Sequence, residues 1–363
     1  MITKNMVRRF GVAAALALLA MAPARGPLGC TRLVYLGTDG TVITARSMDW
    51  MSDLETNLWA FPRGMSRDGA AGPRSVRWTS KYGSVVASVF EAASADGMNE
   101  RGLAANMLYL AESEYPPASP EDTRPTLCIS AWLQYVLDNY ATVEEAVAAL
   151  EPEPFRVVTV PSPDGHAGNV HLSLSDPTGD SAILEYVGGK LTVHHGRQYQ
   201  VMTNSPVFDQ QLALNAYWQQ IGGLTMLPGT NRAADRFVRA AFYLSVLPKT
   251  AEAAEATAEV LSVIRNVSVP LGISTPGQPN ISSTLWRTLA DHRNLRYFFE
   301  STRSPSLFWV DLGDLDLSRG AQVRKLPLAG GAVYSGNAAS RFEPAKPFTF
   351  LSSASGGGPR AGG

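Results

Sequence analysis

Beyond residue 30 the chain alternates short apolar stretches with turn signals. Residues 31–37 (TRLVYLG) and 41–47 (TVITARS) are two such stretches, and Asp39-Gly40 between them suits a tight type I′ turn. A two-residue loop at that dipeptide would set Cys30 directly across from Asp49, with a carboxylate beside the start of the first strand. Under strict alternation Arg46 then has the wrong parity for that face, and a bulge near Ser47-Met48 would be needed to bring it round. Further strands are expected over 84–90, 103–110 and 155–161. Two hairpin-like units follow, 170–187 around Asp176-Pro177-Thr178-Gly179 and 182–203 around Gly188-Gly189. A helical period dominates 126–150, where Ile129, Leu133, Val136 and Leu137 share one side, and it returns over 232–246 and 250–265. The last third reverts to short strands, including 282–289, 294–300 and 307–312.

Many strands with helices inserted in two batches favour an α+β layered fold over alternating βαβ units. Without an internal repeat or a linker, residues 30–350 read as one domain, followed by a small, Gly-rich tail, 351–363, expected to be disordered. The N-terminus differs from the rest. Lys4, Arg8 and Arg9 precede an apolar run, residues 10–21, and Ala22-Pro23-Ala24 follows. That is the pattern of a secretory signal over 1–24, which implies a periplasmic or secreted protein. The run is too short to span a hydrocarbon core of ~30 Å, and no other stretch approaches that length, so no stable membrane span is expected. A buried core helix is the alternative reading of the same run.

Composition narrows the classes of function. The 363 residues are 45% hydrophobic and 17% charged, with a formal net charge of −1. Such a balance gives no long-range attraction to nucleic acid, and no cluster mixes basic with aromatic residues, so nucleic acid is excluded as a partner. GxSxG, Walker A, HExxH and CxxC motifs are absent. His166, His171, His194, His195 and His292 show no metal-ligand spacing, and the His194-His195 pair points to opposite faces of a strand. No metal and no cofactor are expected.

The candidate chemistry rests on Cys30, one of two cysteines. Cys128, in Leu127-Cys128-Ile129 within a helical stretch, reads as a buried core thiol; in an oxidising compartment a Cys30–Cys128 disulfide is the competing pairing. Cys30 follows the signal region closely and opens the first strand. If cleavage frees it, one residue carries a thiol nucleophile and an α-amine with a reference pKa of ~7.7–8.0, near the working pH of a general base. Cleavage after Ala24 would leave 25–29 (RGPLG) as a short propeptide. Leu28-Gly29-Cys30 also partly matches a lipobox, with Pro27 where an apolar residue belongs, so lipid attachment competes. Taken singly, Arg46 and Asp49 would pass for a structural ion pair, Asn204 before Ser205-Pro206 for a turn, and Arg236 for part of a solvated helix face.

Five segments in order give these residues a context. Cys30-Thr31-Arg32 followed by Ala45-Arg46-Ser47-Met48-Asp49-Trp50 resembles the choloylglycine hydrolase family, which includes penicillin V acylases and bile salt hydrolases. Asp96-Gly97-Met98-Asn99-Glu100-Arg101-Gly102-Leu103, Met202-Thr203-Asn204-Ser205-Pro206 and Asp235-Arg236-Phe237-Val238-Arg239 resemble its later motifs. The resemblance implies an N-terminal nucleophile hydrolase with a four-layer αββα sandwich. Cys30 then matches the nucleophile, Asp49 the carboxylate that holds its amine, and Arg46 the arginine near the sulfur. Asn204 matches the side-chain oxyanion donor, Tyr109 the residue whose main-chain N–H is the second donor, and Arg236 the arginine that buttresses the nucleophile. Met48, Trp50, Leu54, Trp59, Phe61 and Tyr109 offer apolar surface for an acyl chain or a phenoxy group. Tyr109, where bile salt hydrolases often carry asparagine, and the short stretch between Asn204 and Arg236 resemble the Gram-negative branch. Its substrates include penicillin V and N-acyl homoserine lactones. The implied partner is a small acylated amide, with a conjugated bile salt as the alternative, and the implied assembly is a homo-oligomer, a tetramer. An exported binding protein or lipoprotein that kept the scaffold without catalysis is the rival from another class.

Overall fold

In the computed structural model the described residues are 29–273, 282–304 and 306–353. The expected signal, the expected propeptide up to Leu28 and residues 354–363 lie outside them. The first hairpin pairs β1 (Cys30–Leu36) with β2 (Val42–Asp49). Asp39 and Gly40 both take positive φ, 50° and 74°, and the Thr41 N–H donates to the Thr38 carbonyl, as the turn chemistry requires. Yet the register differs by one from the expected pairing: Cys30 faces Met48, not Asp49, and Arg32 faces Arg46. The cause is a bulge at the turn. Thr38 turns its N–H outward to the Thr250 carbonyl, so it is Gly37 that donates to the Thr41 carbonyl. This slip puts Arg46 and Met48 on the same face as Cys30 without a bulge at Ser47-Met48, and it sends Asp49 to the opposite face.

Two sheets stack on one another. The seven-stranded sheet runs Val201–Met202, β1, β2, Thr284–Asp291, Arg296–Ser301, Leu307–Asp311, Gly336–Asn337. The nine-stranded sheet runs Lys190–His195, Ser181–Val187, Val170–Ser175, Ala104–Tyr109, Ala93–Asn99, Ser84–Val89, Leu58–Phe61, Arg324–Leu326, Glu343–Pro344. Helices α1 (Ile129–Asn139) and α2 (Val143–Leu150) cover the outside of the nine-stranded sheet. Helix α3 (Phe208–Ile221) leads into α4 (Ala233–Val246) and α5 (Ala253–Asn266), of which the last two cover the seven-stranded sheet. The result is the αββα sandwich.

Two cores hold the layers. One joins the sheets to each other and to α4 and α5 through residues such as Leu33, Ile43, Met98, Leu108, Phe237 and Val260. The other packs Val86, Ala105, Leu172 and Leu184 of the nine-stranded sheet against Trp132, Leu133 and Val136 of α1. Both cysteines are free and buried, and Cys128 closes a three-residue strand just before α1 rather than lying inside a helix. Helix α3 has no counterpart in the sequence reading. Leu214, Tyr217, Trp218 and Ile221 recur at helical spacing, but Leu214, Tyr217 and Ile221 are exposed, and the residues the helix buries are Phe208 and Gln211. The chain end also departs from expectation. Leu351 and Ser353, assigned to a disordered tail, donate from their N–H groups to the carbonyls of Ala92 and Ala70. Among the described residues no helix is long and apolar enough to cross a membrane.

Candidate active site

Cys30 opens β1, the second strand from one edge of the seven-stranded sheet, and is 1% exposed. Its side chain enters the space between the sheets, where β2 supplies two neighbours. Arg46 Nη2 lies 3.8 Å from Cys30 Sγ and 3.3 Å from Met48 Sδ, and it donates to the Met107 carbonyl at 2.8 Å. The Arg46 guanidinium lies over the Trp286 ring, 4.6 Å from its centre. Its ionic partner is Asp96, with Oδ2 at 3.8 Å. Asn106 Nδ2 (2.7 Å), Thr288 Oγ1 (3.0 Å) and the Tyr297 hydroxyl all donate to the Asp96 carboxylate and fix it in place. Asp96 belongs to a motif that the sequence displays, but only the fold reveals that it holds Arg46 beside the sulfur.

On the other face of β1 and β2, Asp49 and Thr31 meet α4. Asp49 Oδ1 accepts from Thr284 Oγ1 at 2.6 Å. Asp49 Oδ2 is 3.7 Å from Arg236 Nη1 and has no hydrogen-bond partner among the described residues. Burial pushes the Asp49 carboxyl up to about 6, against the pull of the Arg236 charge and the Thr284 hydrogen bond. The chain enters Cys30 past these same groups. A Cβ built on Gly29 would fall 3.0 Å from Asp49 Oδ2 and 3.0 Å from Arg236 Nη2, so any larger residue would press on the charged pair.

Arg236 and Asn204 close the cluster. Arg236 is fully buried and donates through Nη1 to the Cys30 carbonyl (2.6 Å) and Thr31 Oγ1 (2.5 Å), and through Nη2 to Asn204 Oδ1 (2.9 Å). Asn204 Oδ1 also accepts from the Cys30 backbone N–H at 2.5 Å, while Asn204 Nδ2 donates to the Tyr109 carbonyl at 2.7 Å. With both ends of its amide engaged, Asn204 ties β1 to the end of strand Ala104–Tyr109 in the opposite sheet. Gln211 of α3 in turn holds the Asn204 loop, donating to the carbonyls of Asn204 and Pro206. Gln211 carried no sequence signal, since it acts through a contact made only in the fold.

These charges bear on the thiol. Burial pushes Cys30 up, the Arg46 and Arg236 charges pull it down, and the Asp49 charge pushes it up again. The balance lies above the ordinary thiol value, which favours the protonated thiol.

Beside Cys30 opens a cavity of about 120 Å³. Met48, Trp50, Leu54 and Tyr109 line it, as expected, together with Val89, Phe90, Ala92, Ile129 and Leu351. Trp59 and Phe61 do not. They share one face of strand Leu58–Phe61, and that face looks away from the other sheet into the second core, where both rings pack on Phe348. Period-two alternation decides this: Leu58 and Ala60, at the alternate positions, face the first core. At the cavity mouth Asp164 Oδ2 accepts from Trp50 Nε1 and Ser52 Oγ, both at 2.7 Å, and so joins the loop after β2 to the loop carrying Val160, Ser162 and Pro163. The Trp50 ring packs edge-on against Tyr109, with centroids 6.1 Å apart.

A buried cysteine at a strand start, two arginines, a carboxylate and an asparagine around it, and an apolar cavity at its sulfur are what the comparisons with known proteins place in context. The profile of linear amide C–N hydrolases of the choloylglycine hydrolase type matches residues 30–325. The chain belongs to the choloylglycine hydrolase family. It is 52% identical to a penicillin V acylase of Pectobacterium atrosepticum over 371 aligned residues, covering 96% of this chain and 99% of that one. The solved structure of penicillin V acylase from Agrobacterium tumefaciens superposes with a TM-score of 0.83 at 60% identity, over 89% of this chain and all of the other. A bile salt hydrolase/transferase of Clostridium perfringens is 28% identical over 315 residues, 79% of this chain and 94% of its own. The protein is thus a hydrolase of linear amide bonds.

Proposed function

We propose that this protein is an N-terminal cysteine acylase, freed at Cys30 after export, that hydrolyses the linear amide of penicillin V, of N-acyl homoserine lactones, or of both. One observation carries the reading. The Cys30 nitrogen sits 2.5 Å from Asn204 Oδ1, the preceding Gly29 packs against a buried Asp49 Oδ2 that has no hydrogen-bond partner among the described residues, and Cys30 lines an apolar cavity. Removal of a signal over 1–24 and of the segment 25–29 would turn that nitrogen into an amine held by Asn204 Oδ1. The amine is then the base that the protonated thiol lacks.

In this mechanism the amine takes the Cys30 proton as sulfur attacks the substrate carbonyl, whose oxygen becomes an oxyanion held by Asn204 Nδ2 and the Tyr109 N–H. Arg46 favours the developing negative charge at sulfur. Collapse breaks the C–N bond, and the ammonium returns its proton to the leaving amine, leaving a thioester. Water, deprotonated by the same amine, attacks the thioester and releases the acid and the free thiol. Arg236 and Asp49 keep the amine, the Cys30 carbonyl and Asn204 in register throughout.

The substrate panel tests the reading. Penicillin V and a long-chain N-acyl homoserine lactone are expected to be hydrolysed faster than a glycine-conjugated bile acid, the substrate class named for the more distant relative. Preference for the bile acid would favour that alternative, and no hydrolysis of any of the three would favour a non-catalytic scaffold.

A pH test isolates Asp49 in a Cys30→Ala chain that keeps the Gly29 peptide bond. Its folded carboxyl, at about 6, lies above the ordinary aspartate value of 3.8, so between those limits the folded chain holds a proton that the unfolded chain has released. Stability from this group is therefore full at the lower limit and is lost as pH rises through about 6. Asp49→Asn in the same background is expected to flatten the fall in melting temperature across that window. An unchanged slope would mean that Asp49 titrates normally.

A further inference from the structure

We propose that Leu351 sets the depth of the acyl pocket and so the length of acyl chain the protein accepts. The inference rests on reading the cavity as the acyl site and adds a residue to it from a part of the chain beyond every motif. The cavity lining includes two groups held by separate contacts. Cys30 and its strand partner Met48 belong to the first hairpin. Ala92, Ser130 and Leu351 form the other, where Leu351 is bonded on both sides of its peptide unit. Its N–H donates to the Ala92 carbonyl at 2.8 Å, and its carbonyl accepts from Ser130 Oγ, at the first turn of α1, at 2.7 Å.

The strap that carries Leu351 is clamped further along. Phe348 packs edge-on against Trp59 and Phe61, with centroids 5.3 and 5.7 Å apart, and the Ser353 N–H donates to the Ala70 carbonyl at 3.0 Å. Trp59 and Phe61 thereby serve the pocket indirectly, as the surface that fixes this part of its wall. Alongside Leu351 the lining offers the methyl groups of Ala92, Ala93 and Ala95 and the larger side chain of Ile129, and of these only Leu351 sits on the C-terminal strap. A clamped backbone cannot retreat from a longer ligand, so the side chain itself acts as the stop. Each methylene that gains or loses burial there changes affinity about fourfold.

The test uses the full processed protein with Leu351→Ala, Leu351→Phe and the near-isosteric Leu351→Met. Calorimetry measures binding of straight-chain alkanoic acids from butanoate to dodecanoate, and kcat/KM is measured for N-acyl amides of the same acyl series. Leu351→Ala is expected to move the preferred chain about two carbons longer. Leu351→Phe is expected to lower the longest-chain affinity more than about tenfold and the shortest less than about twofold. Leu351→Met should retain the parent profile. A uniform change at all lengths, an unchanged profile in Leu351→Ala, or no binding of any acid by the parent would overturn the inference. If the acids bind with the expected shifts while no amide is hydrolysed, the acylase reading fails and the depth assignment stands.

Discussion

Cys30→Ala should lower amide hydrolysis on the order of 10⁶-fold, the scale of loss when an acyl-transfer enzyme is deprived of its nucleophile. The expectation is sharp because the chain's other cysteine cannot replace it. Cys128 is buried in the second core, on the far side of the nine-stranded sheet. Removing the Cys30 sulfur takes one buried atom from beside Met48 and Arg46, so the folded state should survive with only a small fall in melting temperature. Activity that persists in a well-folded Cys30→Ala protein would mean that the chemistry lies elsewhere.

Asn204→Ala carries the second large effect. Losing an oxyanion donor lowers kcat by about 10²–10³-fold, and here the same side chain does structural service. It accepts from the Cys30 nitrogen and from Arg236 Nη2, and it donates to the Tyr109 carbonyl. Truncation leaves a donor of a fully buried guanidinium unsatisfied, which costs about 1–3 kcal/mol. Both kcat and the urea midpoint are therefore expected to fall. A loss of stability with kcat intact would reduce Asn204 to a tie between the sheets.

The sequence and the fold divide the site between them in a way that follows the range of each interaction. Apolar alternation and the Asp39-Gly40 turn sufficed for the first hairpin, since those signals are local, and helical periodicity sufficed for α1, α2, α4 and α5. The register escaped because Thr38 donates to the Thr250 carbonyl, a partner more than two hundred positions away that no turn rule contains. Trp59 and Phe61 were assigned to the cavity on apolar character alone, and strand parity sends them to the opposite core. Cys30, Arg46, Asp49, Tyr109, Asn204 and Arg236 do gather in one cluster, as the resemblance implied. Thr284, Gln211 and Leu351 reach that cluster or its cavity only by tertiary contact, and their immediate sequence is silent about it. Asp96 stood inside a displayed motif, yet its work on Arg46 is legible only once strand Ala93–Asn99 lies over β2.

The central claim is that Cys30 reacts with its own freed amine as base, and the intact mass of the hydrolytically active protein tests it most directly. The account predicts a chain that begins at Cys30 with an unmodified α-amine, and it predicts that blocking this amine abolishes turnover. A fully active protein that still carries Gly29, or that carries a lipid on Cys30, would contradict it.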